Sequence, residues 1–105
     1  MFHDPKAGPP GIDRDIGMVS AALEELHRLA SDEQQARDGA KTYDFSIRWG
    51  TLLSGRLQRL DHYHRAKELT RDQELRYRNL REQLGDAAPQ AQRLGIAQPD
   101  IAPED

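Results

Sequence analysis

The chain has 105 residues, no cysteine and a formal net charge of −3. That length holds one small domain, the lack of cysteine excludes disulfides and thiolate metal sites, and no apolar run nears the roughly 20 residues that cross a bilayer. The start, MFHDPKAGPPG, lacks a basic region followed by an apolar stretch, so no secretory signal is expected and a cytoplasmic location fits.

Residues 1–11 contain Pro5, Gly8, Pro9, Pro10 and Gly11, which predicts a flexible N-terminal tail. The first helix is expected from Ile12 to about Gln35. Ile12, Ile16, Val19, Leu23, Leu26 and Ala30 recur at steps of four and three, a helical stripe narrow enough to resemble a coiled-coil seam. Asp13 and Asp15 sit in the first turn, where the helix dipole favours acids. Gly39 reads as the end of the polar lead-out.

The second helix is expected after Asp44, as N-cap, to about Ala66. Phe45, Trp49, Leu52, Leu53, Leu57, Leu60 and Tyr63 give it a wide apolar face. A helix apolar over such an arc meets more than one neighbour, so this is the central helix. Thr70 and Gln73 form a capping-box pattern that opens a third helix. Its inner face is Tyr77, Leu80 and Leu84, with Leu75 pointing away and Gly85 as its stop. A short fourth helix from Ala87 to Leu94 has Asp86 as its cap, Gly95 as its end and Pro89 in its first turn. The link RAKEL is short, so the second and third helices form an antiparallel hairpin. The expected fold is all-α, a small antiparallel bundle of three main helices plus the short one. It spans 12–95, between a flexible tail at 1–11 and a flexible acidic tail at 96–105.

Leu, Ile, Val and Phe make up 20 of the 105 residues, which implies a thin core of the kind a second chain often completes. Charge is unevenly spread: residues 41–85 are net +4, residues 1–40 net −4 and residues 86–105 net −3. This pattern suits either oppositely charged helices packing together or a basic face for an acidic partner.

No chemistry-bearing motif emerges. None of the four serines lies in a Gly-x-Ser-x-Gly elbow, and there is no phosphate-cradling glycine loop. Neither an enzyme nor a cofactor is expected. His62 and His64 lie about 200° apart around a helix and cannot share an ion there. Glu24-x-x-His27 and Asp61-x-x-His64 have the spacing of carboxylate-bridged metal bundles, but both pairs lie at the edge of their apolar arcs. A metal-binding bundle is the third reading, and no residue is assigned to a metal.

The stronger signal concerns partners. Ser46, Gly50 and Ser54 form a small-residue stripe beside the apolar face of the second helix, suited to close helix approach. Arg56 falls inside that apolar arc, so it must reach water or meet an acid. Glu24 and Glu25 are the candidates from the first helix, and an acid of a second chain is the alternative. Trp49, Arg56 and Tyr63 are seven apart, close to one line, and are of the types enriched at interface hot spots. Trp49, Gly50, Leu53, Arg56, Leu60 and Tyr63 are therefore the candidate partner-binding residues. The expected function is an interaction module, an accessory or regulatory subunit that self-associates as a homo-oligomer or binds a protein partner. The alternative is a nucleic-acid-associated regulator using the arginines of the second and third helices.

Overall fold

The computed structural model describes residues 8–99 and is all-helical over them. The outer parts of both expected tails, residues 1–7 and 100–105, lie outside the described residues. Helix α1 spans Ile12–Ser31, α2 Glu33–Arg37, α3 Gly39–Leu52, α4 Gln58–Arg65 and α5 Arg71–Leu94. A π-helical turn, Leu53–Leu57, joins α3 to α4, so α3, the π turn and α4 form one continuous rod.

Side-chain caps set the early boundaries. Asp32 accepts from the backbone N–H of Gln34 and Gln35, ending α1 and opening α2. Asp38 does the same for Ala40 and Lys41 and opens α3. The rod therefore begins at Gly39, six residues before the expected start after Asp44, and Gly39 opens a helix instead of closing one. A short acid one residue outside a helix supplies an acceptor for free N–H groups wherever the chain turns, and Asp32, Asp38 and Asp44 all offer it.

The rod ends as a C-terminal turn in which Glu68 N–H donates to Tyr63 O at 3.0 Å. Lys67 there adopts φ 59, a left-handed conformation unusual for a residue with a side chain. Thr70 and Gln73 then form the expected capping box. Helix α5 does not stop at Gly85. It runs through Gly85 and Pro89 to Leu94, so the helical character expected for 87–94 is present but continuous with the third helix. The inner stripe Tyr77, Leu80, Leu84, Ala87 and Ala91, stepping by three and four, is buried along its length. That burial offsets the backbone hydrogen bond that Pro89 forfeits. Gly95 closes the helix at φ 72, and Ile96 folds back into the core.

The helices alternate in direction. Asp61 meets Tyr77 and Arg81, and His64 meets Glu74, so α4 and α5 form the expected antiparallel hairpin. Glu25 meets Arg48 and Asp15 meets Arg56, so α1 is antiparallel to the rod. Asp13 meets Gln73 and Arg76, which makes α1 and α5 parallel, packed side by side. On α1, Ala22 and Leu29 are buried along with Ile12, Ile16, Val19, Leu23 and Leu26. The buried arc is thus broader than a coiled-coil seam, because α1 faces both α5 and the rod.

The π turn has a packing reason. Phe45, Trp49, Leu53 and Leu57, all buried, are spaced by four. On an α-helix each step of four drifts about 40°, so three steps carry a stripe about 120° off its line. The wider π turn lags instead of leading, which returns Leu57 toward the core. Packing also reaches past residues 12–95 at both ends: Gly8 and Pro9 are buried, and Trp49 Nε1–H donates to Ala97 O at 2.7 Å.

Candidate functional site

Three of the six residues expected to meet a partner, Trp49, Leu53 and Leu60, lie in the chain's own core, and Gly50, Arg56 and Tyr63 are partly exposed. Trp49 is 0% exposed and stacks on Phe45 at 5.7 Å. Leu53 and Leu60 are also buried, while Tyr63 is half-buried against the core. Trp49, Leu53 and Leu60 offer no surface in this fold. Hot-spot residue types are also the large residues that fill cores, so residue type alone does not separate an outward stripe from an inward one.

Arg56 meets an acid, as its position required, but the acid is Asp15. Its Nη1 lies 2.6 Å from Asp15 Oδ1, and Arg59 Nε lies 3.3 Å from Oδ2. Asp15 is 1% exposed, whereas Arg56 is 37% exposed, so the guanidinium reaches from solvent to a buried carboxylate. Arg59 also donates to Pro10 O and crowds Gly11, the N-cap of α1 at φ 84. Glu24 is exposed, and Glu25 takes Arg48 in a two-pronged pair at 2.8 and 3.1 Å.

The small-residue stripe has no intrachain neighbour. A Cβ placed on Gly50 meets nothing within 4 Å, and the same holds for Gly55. The hydroxyls of Ser46 and Ser54 bond to their own helix, at Tyr43 O and Thr51 O. Close packing on the first helix therefore does not explain these glycines. Gly50→Ala is expected to raise stability by about 0.5–1 kcal/mol by restricting the unfolded chain. Thermal unfolding checks this: Tm should rise by a few degrees.

The exposed apolar residues lie on other faces. Ile47, two residues before Trp49, is 52% exposed, and Met18 on α1 is 38% exposed. Between α1 and α3 they line a groove of about 630 Å³ together with Ala21, Ala22, Thr51 and Leu52. Glu25, Arg28, Arg48 and Arg56 complete its wall. Residue spacing could have exposed this face, since Ile47 stands alone opposite an otherwise continuous apolar arc.

A polar cluster closes the hairpin. Asp61 accepts from Arg65 at 2.7 Å, Tyr77 O–H at 3.3 Å and Arg81 at 3.4 Å. His64 Nδ1 lies 2.9 Å from Glu74 Oε2. The Asp61–His64 spacing is thus used for packing helix against helix, and Glu24 and His27 both face solvent. Among the described residues no group of three or more His, Asp or Glu side chains is placed to hold a metal. Burial pushes the Tyr77 hydroxyl up to about 12, against the pull of its hydrogen bond with Arg81. Folded Tyr77 holds its proton to higher pH than the unfolded residue near 10, so stability is full below about pH 10 and falls as pH rises toward 12. Tyr77→Phe should flatten that fall in urea titrations at alkaline pH.

Most arginines of the rod and α5 are engaged. Arg48, Arg56, Arg65, Arg76, Arg78 and Arg81 each face a carboxylate within 4 Å. Among the described residues no helix is long and apolar enough to cross a membrane. No protein-family model matches the chain, and no curated protein or solved structure is significantly similar to it.

Proposed function

We propose that this protein is a small helical interaction module, an accessory or regulatory subunit that binds a protein partner through its central helix. The face involved is the outer one around Ile47, in place of the Trp49 line. The observation that carries this reading is the exposed apolar groove between α1 and α3, floored by Met18, Ile47 and Leu52 and rimmed by charge. Single exposed apolar residues are ordinary on monomers; here Met18 and Ile47 share one groove inside a charged rim, an arrangement that suits an apolar side chain of a partner.

Nucleic acid is the weaker reading. Phosphate binding needs cations free to replace counterions, and most of the arginines that suggested it are already paired with acids.

Ile47→Asp tests this reading. The substitution falls on an exposed position, so stability should change by no more than about 0.5 kcal/mol. Affinity capture from the native host, with wild-type and variant side by side, should recover a protein that Ile47→Asp loses. An identical set of captured proteins from both, or recovery of nucleic acid that moderate salt removes, would contradict it.

A further inference from the structure

We infer that the link between α1 and α3 is a processing site, at which an arginine-specific protease cuts the folded chain between Arg37 and Asp38 and leaves the bundle standing as two pieces. Every residue from Ser31 to Lys41 is exposed except Ala36, which is half-buried. Helix α2 buries no side chain. It is held by the Asp32 cap, by the Thr42 hydroxyl, which donates to Ala36 O at 3.4 Å, and by a Glu33–Arg37 pair at 3.7 Å. The side chains of that pair are 87% and 81% exposed, so it holds little. A single helical turn is unstable by itself. Opening residues 33–37 therefore breaks no core contact and belongs to the low end of local stability.

Arg37 ends α2, and Asp38 after it is already extended, at φ −76 and ψ 100. Extended backbone is the form in which a protease cleft takes its substrate. Hydrolysis adds water across the C–N bond: Arg37 gains the carboxylate and the nitrogen of Asp38 leaves as an amine. The other basic side chains near a link are held more firmly. Lys41 lies in the first turn of the rod, one turn before the buried Phe45. Lys67 is exposed, but its N–H donates to His64 O at 3.1 Å, Glu68 N–H donates to Tyr63 O, and Leu69 packs on the core. Opening that turn disturbs both α4 and α5.

The cut leaves the core whole. Ile12, Ile16, Val19, Leu23, Leu26 and Leu29 stay buried in the bundle with α5 and the rod. The pairs Asp15–Arg56, Glu25–Arg48 and Asp13–Arg76 then bridge the two pieces. Asp38 stays with the second piece, where its side chain caps α3.

Brief trypsin treatment of the full folded chain, read by mass spectrometry, is the test. The first cut within residues 12–95 should fall after Arg37. The two pieces should elute together in native size exclusion and separate in urea. Arg37→Gln should slow that cut at least about tenfold, because cleavage needs the bond as well as the opening, and should leave thermal melting unchanged. Subtilisin, which needs no arginine, should make its first cut in that span of the wild-type chain between residues 32 and 38. A first cut at Lys67 or inside one of the long helices, by either protease, would overturn the inference. So would digestion without an intermediate at the rate of global unfolding, or pieces that part without denaturant.

Discussion

Trp49→Ala is expected to remove about 3–5 kcal/mol of stability, the range for deleting a fully buried large aromatic. Trp49 is 0% exposed, stacks on Phe45 and anchors the segment after α5 through Ala97 O. The substitution leaves a cavity and strips that carbonyl of its partner, which adds to the loss. A domain of this size has about 5–15 kcal/mol in all, so the variant should be marginal in urea titration. Its loss of stability should not depend on protein concentration, because the lost contacts lie within one chain.

The second large effect concerns Asp15. Arg56→Met should cost about 3 kcal/mol, the low end for breaking a buried pair, since Arg59 keeps a partial hold on the carboxylate. Asp15→Asn should cost less, about 1–2 kcal/mol, because both arginines are partly exposed and can turn to water. Asp15→Leu combined with Arg56→Met should recover most of the loss, as apolar replacements of buried ion pairs do. Chemical denaturation of Asp15→Leu and Arg56→Met alone and of the pair closes the double-mutant cycle and gives the coupling directly. Equal costs for Arg56→Met and Asp15→Asn, with no recovery in the pair, would mean that Asp15 is not held as its burial implies.

Much of the architecture was legible in the residues. The α1 stripe, the Thr70–Gln73 box, the hairpin and the need of Arg56 for an acid all follow from spacing and elementary cost. Asp15 was within reach too. It lies about 60° from Ile12 around the helix, at the border of the stripe, on the side opposite His27. Reading it only as a dipole partner hid its second role. The run of α5 past Gly85 is legible in Ala87 and Ala91, which continue the inner stripe, a periodicity whose burial outweighs the glycine and the proline.

Other features were not legible. Counting 100° per residue assumes an unbroken α-helix, so the π turn at Leu53–Leu57 could not be seen, nor could its effect on which side chains face inward. Direction was the deeper obstacle. A wide apolar arc on a central helix can meet its own bundle or another chain, and residue types do not separate the two. Trp49, Leu53 and Leu60 belong to the first kind, and the exposed apolar side chains between α1 and α3 are Ile47 and Met18.

The protein's single tryptophan makes this division directly measurable. Acrylamide quenching of its fluorescence, followed from about 100 μM down to about 0.5 μM protein, separates burial within a chain from burial between chains. The expected result is a blue-shifted emission with weak quenching that stays constant on dilution and is unaltered by Ile47→Asp. Quenching that rises as the protein is diluted would place Trp49 at an interface and contradict the account.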